Sequence, residues 1–159
     1  MFNEQIIKKA MDEVHKEVEK AIKEDNQPFG AVMVDHQGDI ISQTHNEVNS
    51  SSDPTAHAEI NLIRQTALKI KTRDFSHLSI FVNSEPCPMC AAALARAKIK
   101  AIYFGPSQEV GTNPNIRAED IFNKAQSHIE IYKGINEDIF KEQIMRGRKV
   151  NEGKQRGFK

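Results

Sequence analysis

Two short strings constrain this chain more than anything else in it: His57-Ala58-Glu59, and Pro86-Cys87-Pro88-Met89-Cys90. One imidazole and two thiols form a soft ligand set for a zinc ion. Three protein ligands leave the fourth tetrahedral position to water, as a catalytic zinc requires, whereas a structural site closes with four. A lone C-x-x-C is ambiguous, since redox motifs share it, and the His-x-Glu string removes that ambiguity. Cys87 and Cys90, at i and i+3, fall on one helical face. Pro88 suits the first turn of a helix, which puts Cys87 at its N-terminus, where the positive end of the dipole favours a thiolate. Glu59 follows His57 by two residues, about 200° round an ideal helix. It is therefore no second ligand from the same face, but a carboxylate beside the metal that moves protons between water and a substrate. The chain has only these two cysteines, so no pair remains for a disulfide.

Apolar residues recur at three and four over 3–23 (Ile6, Ile7, Ala10, Met11, Val14, Val18, Ala21, Ile22), which predicts an amphipathic helix. Residues 29–34 read as a strand, 36–39 as a turn, 40–45 as the hairpin partner and 46–54 as a polar loop. Helices are predicted over 55–70, with Thr55 as N-cap and His57 in the first turn, and over 87–97, 118–125 and 137–148. Strands are predicted over 78–82, 100–104 and 128–132, with 108–117 a loop. A hairpin followed by alternating strands and helices argues an α/β fold: a three-layer α/β/α arrangement with a five-stranded mixed sheet, parallel in its second half, flanked by helices. Both motifs start helices at one end of that sheet, where α/β sites lie.

With 159 residues and no long linker or repeat, a single domain is expected over 1–159, with 150–159 a flexible tail. Lys plus Arg and Asp plus Glu are both 22, so bulk charge does not announce a nucleic-acid binder. The balance tips locally: residues 141–159 carry seven Lys or Arg (141, 146, 148, 149, 154, 156, 159) against Glu142 and Glu152. That stretch reads as a solvated helix end and frayed tail, with a phosphate contact as the alternative. No apolar run approaches a membrane span, and the first 24 residues lack the apolar core of a secretory signal, so a cytoplasmic protein is expected. His15, His36, His45, His77 and His128 have no matching context and read as surface or core.

Phe29-Gly30-Ala31, Asn46, the string from Asp53 through Glu59, and Glu85 through Cys90 resemble the cytidine-deaminase superfamily, in which H-x-E…P-C-x-x-C marks zinc nucleobase deaminases. The resemblance covers most of residues 28–104. It implies zinc on His57, Cys87 and Cys90, Glu59 as proton shuttle, and a homodimer. It further implies substrate contacts from Asn46 at the base edge, Phe29 on the pocket floor, Ala58, and a carboxylate from Glu119 or Asp120. Short bacterial guanine deaminases and tRNA adenosine deaminases share Asp-Pro-Thr-Ala-His-Ala-Glu, so that string does not separate them.

Three details favour a small purine base as substrate. Asn46-Glu47-Val48 resembles the Asn-x-Val of guanine deaminases, where tRNA enzymes carry Asn-Arg-Pro. Residues 118–122 resemble their acidic-aromatic segment. Pro106-Ser107-Gln108-Glu109-Val110 replaces the Lys/Gly/Ala-rich stretch of the tRNA enzymes. Guanine deaminases end in a Tyr that reaches a neighbouring subunit's site, whereas this chain ends Gly157-Phe158-Lys159. The expected reaction is guanine to xanthine plus ammonia, and the alternative is adenosine to inosine in tRNA. From another class, a non-catalytic zinc-stabilised RNA-binding module has no use for Glu59 and lacks a fourth protein ligand.

Overall fold

The computed structural model describes residues 1–108 and 115–152. Its elements run α1 (Glu4–Lys23), β1 (Gly30–Val34), β2 (Ile40–His45), α2 (Val48–Ser51), α3 (Ala58–Ile70), β3 (Ser79–Val82), α4 (Pro88–Ala97), β4 (Ala101–Phe104), α5 (Ala118–Lys124), β5 (Glu130–Tyr132) and α6 (Glu137–Val150). The strands form one five-stranded sheet in the order β2-β1-β3-β4-β5. β1 is antiparallel to both neighbours, while β3, β4 and β5 are parallel. This is the mixed sheet that the sequence predicts.

Both faces of the sheet are covered, and the strand sequences show why. Along β1, Ala31 and Met33 pack with α3 and α4, whereas Val32 and Val34 pack with α1. β3 repeats the pattern with Ile80 and Val82 on one side and Phe81 on the other. Successive side chains leave opposite faces, so a strand buried twice is apolar throughout rather than alternating. Ala58, Leu62, Ala91, Leu94 and Phe122 of α3, α4 and α5 cover one face. Met11, Val14 and Val18 of α1, with Phe140 of α6, cover the other.

Strand direction concentrates several ends at one edge of the sheet. The C-terminal ends of β2, β3 and β4 and the N-terminal end of β1 lie together there. Phe29, Asn46, Ser84 and Pro106, the residues just outside those ends, meet in one cavity.

Three local expectations need correction. The loop over 46–54 contains the one-turn helix α2. Thr55 is not an N-cap: its amide and hydroxyl both bond Asp53 Oδ1, at 2.8 and 2.7 Å, in a tight turn. The cap of α3 is His57, in extended conformation at φ −67° and ψ 152°. Finally, α6 runs to Val150, and Asn151 after it is buried, donating from Nδ2 to the Asn26 carbonyl. The expected flexible tail therefore does not begin at 150. Its remainder, 153–159 with the Gly157-Phe158-Lys159 terminus, lies outside the described residues, as does 109–114 of the predicted loop.

Candidate active site

Two helix starts carry the ligand atoms. His57 caps α3 and Cys87 caps α4, each in extended backbone, with Pro88 opening the α4 helix and Cys90 one turn inside it. A residue at the cap escapes the helical phase. For that reason His57 and Glu59 face the same cavity, although helical spacing alone would separate them.

His57 Nδ1 lies 3.5 Å from Cys87 Sγ and 3.6 Å from Cys90 Sγ. All three ligand atoms fall within 4.8 Å of one another. Zinc–nitrogen and zinc–sulfur bonds of about 2.0 and 2.3 Å, opened to a tetrahedral angle, separate N from S by about 3.5 Å. The triad therefore fits zinc in both chemistry and spacing. Glu59 stays outside this group, buried and facing the cavity.

The titration behaviour of the corner is set by hydrogen bonds among its own groups and by burial. A hydrogen bond from Cys90 draws the Cys87 thiol down to about 4. Cys90 is pushed well up by the same bond and then by burial. The hydrogen bond with Cys87 raises His57. Burial raises the Glu59 carboxyl, and the charge at Cys87 adds to the rise. A bound dication inverts this logic, because it holds both sulfurs as thiolates and the imidazole neutral.

The cavity beside the triad measures about 340 Å³, within the range of small-molecule sites. Asn46 is buried at its wall, held by a backbone bond from its amide to Phe29 O (3.0 Å) and by Val48 N donating to Oδ1 (3.0 Å). Phe29, half-buried, lines the cavity while packing on the core behind it. Ala58 turns its methyl into the core and accepts the Thr44 hydroxyl on its carbonyl at 2.7 Å, so any substrate contact from it is a main-chain one.

Glu119 and Asp120 are not brought to this cavity. Asp120 Oδ2 accepts the Arg117 amide at 2.8 Å, the N-terminal bond of α5. Glu119 lines a separate space of about 200 Å³ beside Glu85 and Lys133. Glu85 itself, buried within the second motif, accepts Ala118 N at 3.0 Å and Gln108 N at 2.9 Å, and so ties α5 and the 105–108 turn to the start of α4.

Sequence reasoning offered Lys141 and Arg148 as a phosphate contact but did not bring their helix to this cavity, where it forms one wall. α6 supplies it through Lys141, Ile144, Met145 and Arg148. The helix is seated by Gly147, where an added Cβ would stand 2.5 Å from Pro28 Cβ, and by Gln143 donating to His15 O at 3.0 Å. The spacing i, i+3, i+4, i+7 was a usable signal of a shared face. No helix among the described residues is long and apolar enough to cross a membrane.

Residues 4–106 match the model of the cytidine and deoxycytidylate deaminase zinc-binding region. The chain is 37% identical to the tRNA-specific adenosine deaminase of Rickettsia bellii over 130 residues, 79% of this chain and 88% of that one. It is 40% identical to the guanine deaminase of Bacillus subtilis over 77 residues, 48% of this chain and 49% of that one. A structure from a study of A-to-I editing by tRNA:A34 deaminases at the wobble position superposes with a TM-score of 0.77 at 29% identity, covering 86% of this chain and 99% of that chain.

Proposed function

Because the chain belongs to the cytidine and deoxycytidylate deaminase zinc-binding family, and is thus a zinc-dependent nucleobase aminohydrolase, we propose that its substrate is an adenine carried on RNA, deaminated to hypoxanthine with release of ammonia. Zinc on His57, Cys87 and Cys90 supplies Lewis acidity that makes water a competent nucleophile near neutral pH. Glu59 takes one proton of the attacking water and delivers it to the ring nitrogen, then takes the second from the added hydroxyl and passes it to the amine, which leaves as ammonia as the carbonyl forms. Its burial suits the task, since a raised carboxyl exchanges protons near neutrality more readily than a solvated one. Asn46 reads the base edge with an amide that both donates and accepts, and Phe29 supports the base.

One observation carries the choice of RNA: α6 lines the cavity of Glu59 with Lys141 and Arg148. Lys141 is paired with Glu137 at 2.5 Å, whereas no acidic partner of Arg148 is found among the described residues. A chain with no net charge therefore still carries cationic groups at this cavity, which suits the phosphates of a flipped nucleotide. The similarity to the Rickettsia enzyme supports the same reading. Guanine is the second reading, favoured by Asn46-Glu47-Val48 and the likeness to the Bacillus enzyme. It loses the support of Glu119 and Asp120, which stand away from the cavity. A homodimer is part of the proposal by resemblance, with Met89 and Ala92 exposed on α4, and light scattering at micromolar concentration tests it.

The deciding experiment measures ammonia release by the zinc-loaded chain from guanine and from an adenosine-wobble anticodon stem-loop. Turnover of the stem-loop alone supports the proposal. Turnover of guanine alone replaces it with the second reading.

A further inference from the structure

A cluster of charge lies behind the cavity wall, unused by the chemistry so far. Glu17 sits mid-way along α1, only 2% exposed. It accepts Lys20 Nζ at 2.6 Å, Gln43 Nε2 at 3.1 Å and the His45 ring at Nδ1 at 2.8 Å. The other ring nitrogen of His45 lies 2.8 Å from Glu24 Oε2. Both ring nitrogens thus face carboxylates, which only accept. A neutral imidazole has one N–H and would turn a lone pair on one of them, so the geometry requires the doubly protonated ring. Glu24 also caps the C-terminus of α1, where the negative end of the helix dipole favours a cation. Glu17, Glu24, Lys20 and His45 together sum to zero.

The contact depends on how closely α1 lies on the sheet. Gly30 is the β1 partner of His45, and a Cβ there would stand 2.9 Å from Glu17 Cβ and from Val14 O. With no side chain in the way, Glu17 reaches the end of β2.

His45 is also held from the opposite side. Its carbonyl accepts Asn61 Nδ2 at 3.0 Å, and the same amide bonds Glu47 Oε2 at 3.1 Å. Asn61 is one turn into α3, donating its own amide to His57 O at 3.0 Å. The 45–47 corner is therefore pinned to α1 by the His45 ring and to the zinc-ligand helix by Asn61. Asn46 lies between these two anchors. Its Oδ1 is occupied by Val48 N, and no partner of its Nδ2 is found among the described residues.

We propose that the His45 imidazolium, held between Glu17 and Glu24, is a positioning residue for the substrate: it fixes the end of β2 so that the Asn46 amide meets the edge of the base. The proposal rests on the reading of the cavity as a nucleobase pocket. It gives the enzyme an alkaline limit set away from the metal. The charged groups facing the ring are Glu17, Lys20 and Glu24 from α1, with Glu47 reached through Asn61 from the far side. The carboxylates hold the ring charged beyond its ordinary range, the Glu17 bond foremost. Above that range the Glu24 bond loses its proton and the corner loosens.

The test uses the full zinc-loaded chain. KM and kcat for the deaminated substrate are followed against pH in wild type, His45→Gln and Glu24→Gln. KM of wild type should climb at alkaline pH with kcat little changed. His45→Gln should raise KM roughly tenfold, as loss of one positioned hydrogen bond does, and flatten its alkaline rise. Glu24→Gln, an exposed and fold-neutral change, should move that rise to lower pH. Substrate-free NMR adds a readout that needs no turnover, since the Asn46 side-chain amide signals should follow the titration of the His45 ring. Amide signals that ignore that titration, or a His45→Gln enzyme that loses thermal stability but keeps its KM profile, overturn the proposal. Coupled NMR signals without turnover of any purine would sustain the positional link and overturn the substrate reading instead.

Discussion

Glu17 and Glu59 are both buried carboxylates, and they titrate in opposite directions. Burial pushes each of them up. At Glu17 hydrogen bonds from His45 and Lys20 outweigh burial and hold the carboxyl below its ordinary value. At Glu59 burial comes first and the charge at Cys87 adds to it, so the bonds from its own amide and from Cys90 are outweighed and the carboxyl stays raised. A buried acid surrounded by donors is a fixed charge that organises its neighbours. A buried acid whose donors burial outweighs is poised to pass a proton. Burial alone does not distinguish structure from chemistry, whereas the balance of donors against burial does.

The largest test of this contrast is Glu59→Gln. The substitution keeps the shape and removes the proton carrier, so ammonia release should fall by about 10²–10⁴-fold, the usual contribution of a positioned acid–base group. Zinc stoichiometry should be unchanged because Glu59 is not among the three ligand atoms. The melting temperature should hold or rise, since a buried acid whose hydrogen bonds do not offset its burial is removed. Full activity in this variant would sink the shuttle assignment.

Glu17→Leu should fail in the other way. It leaves the His45 and Lys20 charges without their shared partner, at a cost of about 3 kcal/mol in urea unfolding. That is the low end for a broken buried pair, because Lys20 keeps access to water. Zinc content and kcat per folded molecule should stay within a few-fold of wild type. The pair also predicts a pH window. Glu17 is lowered from 4.5, so its contribution is present above that value and lost as pH falls through the folded one. His45 is raised from 6.5, so its contribution is complete below 6.5 and lost as pH rises through the folded value. The stability difference between wild type and His45→Gln should therefore be greatest between pH 4.5 and 6.5 and shrink on the alkaline side. A difference that grows with pH would contradict the charged ring.

The same contrast explains what the sequence makes legible. His57, Glu59, Cys87 and Cys90 announce themselves because ligand chemistry demands those residue types at fixed local spacing. The sheet is legible because residues 31–34, 80–82 and 101–104 are apolar on both sides of each strand. Glu17 and His45 are harder, since their pairing joins a mid-helix acid to a strand end 28 residues away. A trace of it exists: Glu17 stands inside the buried stripe of Val14, Val18 and Ala21, where an acid needs a partner. Thr55 shows the converse error. It has the right residue type for a cap, but Asp53 claims its hydroxyl and the helix waits for His57. The α6 wall is least legible, because its stripe ends in Lys141 and Arg148 and so resembles a solvated face. Only tertiary packing shows that Gly147 brings it against Pro28 and over the site.

That wall gives the smallest expected effect. Arg148→Gln removes one exposed cation without touching the ligands, Glu59 or the two anchors of the 45–47 corner. Under the RNA reading it should raise KM for the stem-loop by about tenfold and leave kcat unchanged, because a phosphate contact is made equally in the bound and transition states. The slope of log KM against log salt should fall by about one, the signature of a single released counterion. Turnover of free guanine, which has no phosphate, should be indifferent to the substitution. A stem-loop KM that also ignores it would remove Arg148 from the substrate surface and return the choice between base and RNA to Asn46 and its neighbours.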